Sequence, residues 1–248
     1  MQSKLGAWSG APGSSRKIFI LGCGRSGTHW LGEILQAHPD IRVTFEPRVA
    51  FYAAARMAVD PRRKQLRLPW LLRWYRLQHA VSAPRHYADK THPNLWLAED
   101  LAHAFPEALF LGIQREARAT VASMLEHPAI RMWHSSWRKL PLPNRFLGIS
   151  EEVATEYADL SEAARFALRW RSHRDRMTEL AGTLGNRLLV LHYEDLMDNT
   201  AARLEDLASF IKLGSPLPIP EVRRESLEKW RRILSPAQLE EIDRIASR

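Results

Sequence analysis

The chain has 248 residues and a formal net charge of +8, from 36 Lys and Arg against 28 Asp and Glu. Hydrophobic residues make up 45% and charged residues 26% of it, which are globular proportions and exclude a wholly disordered chain. No apolar run approaches the roughly 18 residues that a membrane-spanning helix needs, so a spanning protein is excluded. The single cysteine, Cys23, excludes an internal disulfide and a multi-cysteine zinc site. The N-terminal residues lack the apolar core of a secretory signal, so we expect a cytoplasmic protein.

The first residues are rich in Gly, Ser and Ala, and they predict a flexible tail at 1–15 before a single domain at 16–248. Short apolar runs with helical patterns between most of them predict an α/β fold, with a central parallel sheet flanked by helices. Ligands of such folds bind beyond the carboxyl ends of the strands, so functional residues should follow each strand. The predicted strands are 17–21, 41–45, 109–113 and 187–191, with 86–90 as a weaker fifth.

A glycine-containing loop follows the first predicted strand, at residues 22–30. The loop opens a helix, because the apolar residues after it fall on one helix face: Trp30, Leu31, Ile34 and Leu35. Such a loop directs backbone N–H groups at an anion, and the helix dipole favours negative charge there. The sequence therefore predicts a P-loop-type phosphate site.

Two general phosphate-loop patterns match this loop in part, and the positive charge of the chain suggests nucleic acid as a third kind of ligand. Gly22, Gly24 and Gly27 match the dinucleotide fingerprint G-x-G-x-x-G, and Glu46 stands where an acid would hold the ribose, as in an NAD(P)-dependent oxidoreductase. The nucleoside-triphosphatase pattern fits less well, because Thr28 occupies the lysine position. A nucleic-acid-binding module would use the positive charge but would not need a glycine loop after a strand, so we expect no nucleic-acid partner.

The loop also resembles the 5′-phosphosulfate loop of sulfotransferases that use 3′-phosphoadenosine 5′-phosphosulfate (PAPS). Arg25-Ser-Gly-Thr28 with Trp30 matches that family's loop, while His29 stands where the family usually has Thr or Ser. This resemblance implies PAPS as the sulfuryl donor. The residues implied at its 5′-phosphate are Gly24, Arg25, Ser26, Gly27, Thr28 and His29.

Other segments are similar to the same family in chain order. The run from Phe105 to Leu125 resembles the segment that holds the 3′-phosphate, which implies Arg115 and Ser123 as ligands. The segment at 226–239 resembles the family's terminal motif, and Arg223 and Arg224 precede it where cytosolic members bind the 3′-phosphate.

A further motif, at 191–196, resembles the family's R-Y-E-D-L. Glu194 and Asp195 in it are expected to begin a helix, where its dipole favours negative charge. The motif therefore supports the family resemblance more than it supports a catalytic role.

The resemblance implies metal-free, in-line transfer of a sulfuryl group to an acceptor hydroxyl or amine. Arg25 and Lys90 are the candidates to stabilise the negative charge that develops. Glu46-Pro47 resembles the carbohydrate-type enzymes, whose Glu is the general base, and His92 matches the base of the cytosolic members. We favour Glu46 and expect partial burial to raise its pKa from about 4.3. His92 starts near 6.5 and needs no such shift.

Two stretches are candidates to contact the acceptor, which we expect to be a small molecule or a glycan. Residues 56–77 form a basic amphipathic stretch that suits an anionic membrane surface, an acidic acceptor or an ordinary core-facing helix. Residues 131–148 carry Trp133, Trp137 and Phe146 among prolines and predict a lid or plain packing. The sequence defines no oligomeric state.

Overall fold

The computed structural model describes residues 15–222 and 224–248. Apart from residue 15, the predicted tail lies outside the described residues. Five parallel strands form one sheet in the order β2-β3-β1-β4-β5. They are β1 (Lys17–Gly22), β2 (Ile41–Phe45), β3 (His86–Lys90), β4 (Leu109–Gln114) and β5 (Leu188–His192). The predicted fold class is confirmed, and all five predicted runs contain strands.

The helices flank this sheet and connect its strands. They are α1 (Thr28–Gln36), α2 (Arg48–Val59), α3 (Lys64–Ser82), α4 (Ala98–Ala104), α5 (Ala117–Leu125), α6 (Pro128–Ser135), α7 (Glu151–Ala154), α8 (Glu162–Leu184), α9 (Tyr193–Asp198), α10 (Thr200–Ile211), α11 (Glu225–Glu228) and α12 (Pro236–Ala246). No helix in the described part of the chain is both long enough and apolar enough to cross a lipid bilayer.

Strand β1 is apolar on both faces because helices cover both. Phe19 and Leu21 pack among α2, α3, α4 and α8, whereas Ile18 and Ile20 pack among α1, α9 and α10. Burying each such side chain contributes roughly 1.5–3 kcal/mol. These two core layers hold β1 in the middle of the sheet.

A third core lies beside the sheet, where α5, α8 and α12 pack together with the segment predicted as a lid. Trp137 and Phe146 are buried there, so much of the segment packs into the core. Helix α12 begins at a capping box in which Ser235 and Gln238 satisfy each other's backbone N–H groups. The Ser-Pro pair in the sequence therefore marks the start of this helix, with Ser235 at the N-cap and Pro236 as the first helical residue.

The strand order places a switch point at the carboxyl ends of β1 and β4. The chain leaves β1 toward β2 on one side of the sheet and leaves β4 toward β5 on the other. A crevice forms where connections diverge in this way, and ligands of open α/β sheets bind there.

Candidate active site

The loop after β1 takes an unusual backbone path before α1. Arg25 and Gly27 have φ angles of 76° and 96°, in the left-handed region. At Gly27 a Cβ atom would lie 2.4 Å from Cδ2 of Tyr193, so the close packing of the loop requires glycine. The loop leads into the N-terminal turn of α1, whose first N–H groups have no partner within the helix. Such a turn is suited to bind a phosphate.

Ser26 does not offer its hydroxyl to this site. Its Oγ lies 2.7 Å from the Cys23 carbonyl oxygen and 3.2 Å from that of Ile113, and it donates inward. Its backbone N–H also bonds to Cys23. In this structure the Ser26 hydroxyl is therefore not directed at the predicted 5′-phosphate site. Ser26 ties the loop to β4 instead.

Arg25 and Ser123 come together although they are 98 residues apart. The Arg25 Nε donates a 3.0 Å hydrogen bond to Oγ of Ser123 on α5. Because Ser123 was predicted with the 3′-phosphate and Arg25 with the 5′-phosphate, this bond connects the two predicted phosphate sites.

Arg115 follows β4, and its guanidinium lies 4.4 Å from the ring centroid of Tyr193. One terminal nitrogen donates to the backbone carbonyl of Ser226. Its Nε is buried and has no hydrogen-bond partner among the described residues. Burial lowers the Arg115 pKa, but a guanidinium stays charged at neutral pH. This buried, incompletely bonded cation fits a phosphate group.

Two of the other predicted phosphate ligands lie less favourably. His29 is exposed at the cavity rim, 3.4 Å from Glu33. The side chain of Arg224 is 68% exposed and pairs with Asp198 at 3.7 Å, and Arg224 is not among the residues that line the cavity. Arg223 lies outside the described residues.

Glu46, Lys90 and His92 form a hydrogen-bonded cluster at the ends of β2 and β3. Phe45 and Lys90 are register partners, which brings the two strand ends side by side. Oε1 of Glu46 accepts from Lys90 Nζ at 2.7 Å and from His92 Nδ1 at 2.8 Å. Glu46 also has a φ of 45°, a strained conformation whose cost is of order 1–3 kcal/mol.

This cluster reverses the expected pKa of Glu46. Burial alone would raise that pKa, but the hydrogen bonds of His92 and Lys90, and the positive charge that both carry at acid pH, lower it to about 2. The expectation of a raised pKa is therefore wrong. Burial lowers the His92 pKa despite the opposing effect of Glu46, so His92 is neutral at neutral pH.

The neutral His92 has a defined tautomer. An ionised carboxylate only accepts hydrogen bonds, so Nδ1 carries the proton and Nε2 keeps a lone pair. A Cβ built on Gly24 would lie 3.7 Å from Nε2, so this nitrogen faces the phosphate loop.

One cavity of about 550 Å³ joins these groups. Ten of the twelve predicted site residues line it: Gly24, Arg25, Gly27, Thr28, His29, Glu46, Lys90, His92, Arg115 and Ser123. Among the described residues, no group of three or more His, Cys, Asp or Glu side chains is arranged to hold a metal ion.

The sequence of this chain matches the family model described as "Sulfotransferase family" over residues 17–216. This chain belongs to the sulfotransferase family. A protein-tyrosine sulfotransferase of Drosophila melanogaster is 27% identical to it over 221 residues, covering 78% of this chain. The chain spans only 37% of the length of that relative. The comparisons do not support the oxidoreductase alternative.

Solved sulfotransferase structures share the fold. The sulfotransferase domain of the Synechococcus PCC 7002 olefin synthase has a TM-score of 0.60 at 16% identity, covering 98% of both chains. A mouse sulfotransferase complexed with PAP has a TM-score of 0.52 at 16% identity, covering 93% of this chain and 82% of that one.

Several residues of this sulfotransferase cavity were missed as functional candidates. The sequence places Tyr193 in a family motif but predicts no ligand contact for it. Trp133 and Phe146, by contrast, belong to the stretch that it predicts as a lid near the acceptor or as plain packing. Phe51, His127 and Arg169 carry no local signal, since their positions depend on the packing of α2, α6 and α8. The lining residues for which the sequence predicted no contact with a ligand are Trp30, Phe51, His127, Arg169 and Tyr193.

Proposed function

We propose that this sulfotransferase transfers the sulfuryl group of PAPS to an acceptor hydroxyl. One observation carries the proposal: a single cavity is lined by the residues predicted for both phosphates and by the His92 imidazole, whose Nε2 faces the loop. The 5′ side of the donor would bind at the loop 24–28 and the start of α1. Its 3′-phosphate would bind at Arg115, whose buried Nε has no partner in the described structure.

The donor supplies a sulfur–oxygen bond whose cleavage leaves the electron pair on a 5′-phosphate oxygen. The acceptor oxygen forms the new bond to sulfur and loses its proton. Arg25 and Lys90 place fixed positive charge beside the loop, where it stabilises developing negative charge more strongly in the transition state than in the ground state. We propose that this charge makes a metal ion unnecessary.

His92 is the general base in this proposal, and Glu46 positions it. The Nε2 lone pair faces the loop, whereas both hydrogen bonds described above hold the Glu46 carboxylate. A carboxylate with a pKa of about 2 is a weak base, so the assignment differs from the one that the sequence favours.

The acceptor half of the cavity is aromatic. Phe51, Trp133 and Phe146 line it together with His92, with ring centroids of neighbouring pairs 5.5–6.4 Å apart. Flat apolar walls of this kind suit an aryl ring. The protein-tyrosine sulfotransferase named above is similar to this chain and, by its name, acts on a phenol. We therefore propose a phenolic hydroxyl on a small molecule or peptide as the acceptor.

Calorimetry with adenosine 3′,5′-bisphosphate tests the donor site. Arg115→Ala should weaken binding of this ligand roughly 10- to 100-fold, because a charge-assisted contact to the 3′-phosphate is lost. Binding of adenosine 5′-phosphate should change much less. Arg224→Ala is the matched control and should leave both affinities unchanged. Equal losses for the two nucleotides in Arg115→Ala would contradict the assignment.

A turnover screen with PAPS tests the acceptor. Phenols and a tyrosine peptide should be sulfated faster than a simple sugar or an amine, since only aryl acceptors fill the aromatic half of the cavity. Faster turnover of the sugar would instead support a glycan, the other acceptor class that the sequence leaves open.

A further inference from the structure

Arg169 of α8 is a buried cation that the mechanism above does not use. It is 2% exposed, yet it forms part of the wall of the catalytic cavity. Its Nε and Nη1 atoms have no hydrogen-bond partner among the described residues. No described carboxylate forms an ion pair with it, so its charge is uncompensated within that part of the chain.

The titratable groups around Arg169 do not supply the missing negative charge. The side chain of Cys23 shares a hydrogen bond with Arg169, but burial raises the pKa of this thiol to about 11, so it stays neutral at neutral pH. Burial also raises the pKa of Tyr157 well above its usual value and lowers that of His173, so both are neutral at neutral pH. The guanidinium carbon lies 4.4 Å from the ring centroid of Phe146, a contact that adds no charge.

Two other arginines of α8 show how a structural arginine is bonded in this protein. Arg165, one turn earlier, donates to the carbonyl oxygens of Tyr157 and Ala158 at 2.9 and 2.6 Å. Arg176 is also buried, but it pairs with Glu99 and Glu179 at 2.7 and 3.0 Å. Arg169 alone of these three has neither kind of partner among the described residues. A buried charge is retained at a large desolvation cost, which a bound anion would offset.

We propose that Arg169 binds a negatively charged oxygen group in the cavity, beside Phe146 and His92. This proposal rests on the proposed function, which offers two sources of the oxygen group: the sulfuryl group of the donor, or an acidic group on the acceptor. Either group would accept hydrogen bonds from Nε and Nη1 of Arg169, because a guanidinium presents a planar fork of N–H donors to an oxyanion.

Inorganic sulfate is the probe for this anion site. The full chain is first saturated with adenosine 3′,5′-bisphosphate, which occupies the two phosphate sites, and is then titrated with sulfate by calorimetry. Arg169→Met should weaken sulfate binding at least about tenfold, because a charge-assisted contact is lost. Arg169→Lys keeps the charge but not the planar fork, and it should bind sulfate with intermediate affinity.

Thermal unfolding separates this role from a structural one. Without ligand, Arg169→Met should raise the melting temperature, because it replaces an unpaired buried charge by an apolar side chain of similar length. Arg165→Met is the matched control: it should lower the melting temperature and leave sulfate affinity unchanged. A lower melting temperature with unchanged sulfate affinity in Arg169→Met would overturn the proposal. If that variant does not fold, unchanged sulfate affinity in Arg169→Lys, or no sulfate binding by the wild type, overturns it.

Donor binding distinguishes the two sources of the anion. If Arg169 holds the sulfuryl group, Arg169→Met weakens PAPS more than adenosine 3′,5′-bisphosphate. If it holds an acidic group of the acceptor, both nucleotides bind normally and the variant loses its preference for 4-hydroxybenzoate over phenol. If the wild type binds neither nucleotide but sulfate binding still depends on Arg169, the donor assignment fails and the anion site stands.

Discussion

His92 and Glu46 share a hydrogen bond that suits each residue to a different task in the proposed mechanism. The carboxylate fixes the proton on Nδ1 of His92, and this leaves Nε2 as the atom that can accept a proton. Lys90 binds the same carboxylate oxygen and keeps it ionised. As the proposed base, His92 accepts a proton only at a pH above its own pKa, and burial lowers that pKa from the ordinary histidine value.

The pH profile of kcat/KM tests this division of tasks. Activity should rise with pH along an acid limb centred below 6.5, because His92 must be neutral to accept the acceptor proton. His92→Ala should reduce kcat roughly 10²- to 10⁴-fold. Glu46→Gln should reduce it less and move the acid limb to lower pH, since Glu46 raises the His92 pKa.

The opposite result would restore the role that the sequence favours for Glu46. In that case Glu46→Gln costs roughly 10²-fold or more, and His92→Ala is mild. Loss of nucleotide affinity in Glu46→Gln would instead identify Glu46 as a ribose ligand.

At the scale of elements, α3 carries a feature that the cavity does not explain. The helix presents Leu66, Trp70, Leu77 and Val81 to solvent at spacings of four, seven and four residues, which place them on one face. Its residues include Lys64, Arg67, Arg73 and Arg76 and no acidic side chain. Leu71 and Tyr75 are buried, so α3 also packs on the core. The exposed apolar face with basic flanks suits an anionic lipid surface.

Vesicle sedimentation tests whether the basic stretch at 56–77, which contains α3, binds an anionic lipid surface. The protein should bind phosphatidylserine vesicles more strongly than phosphatidylcholine vesicles, and added salt should weaken the binding by screening the charges. Replacing both Trp70 and Leu77 by Glu should abolish it, whereas Ile219→Glu should not, although Ile219 is 70% exposed. Equal binding to both lipids, or an unaffected double variant, would contradict the prediction.

For the whole molecule, the sheet order brings the strand-end loops around one crevice. The ends of β1 and β4 supply the predicted phosphate ligands, the end of β2 supplies Glu46, and the end of β3 supplies Lys90 and His92, the proposed base. Arg25 after β1 and Lys90 at the end of β3 both line this cavity, where the proposed function puts the leaving oxygen. That arrangement supports the prediction of metal-free catalysis.

Treatment with EDTA tests the metal prediction on the intact protein. Sulfuryl transfer should be unchanged after EDTA treatment, because Arg25 and Lys90 provide the charge stabilisation. Buffer-treated protein is the control for handling losses. Activity that disappears with EDTA and returns with magnesium or zinc would refute the prediction.

The sequence by itself determined the features that neighbouring residues encode. Apolar runs located the strands, and the glycine loop and the family motifs pointed to residues that line one cavity, because each pattern lies within a short stretch of chain. Tertiary structure decided the rest. Four features depend on the packing of residues distant in sequence: the inward hydroxyl of Ser26, the low pKa of Glu46, the place of Arg224 outside the cavity, and the burial of Arg169 without a carboxylate partner among the described residues. Electrostatic environment and side-chain direction depend on packing, which local patterns do not specify.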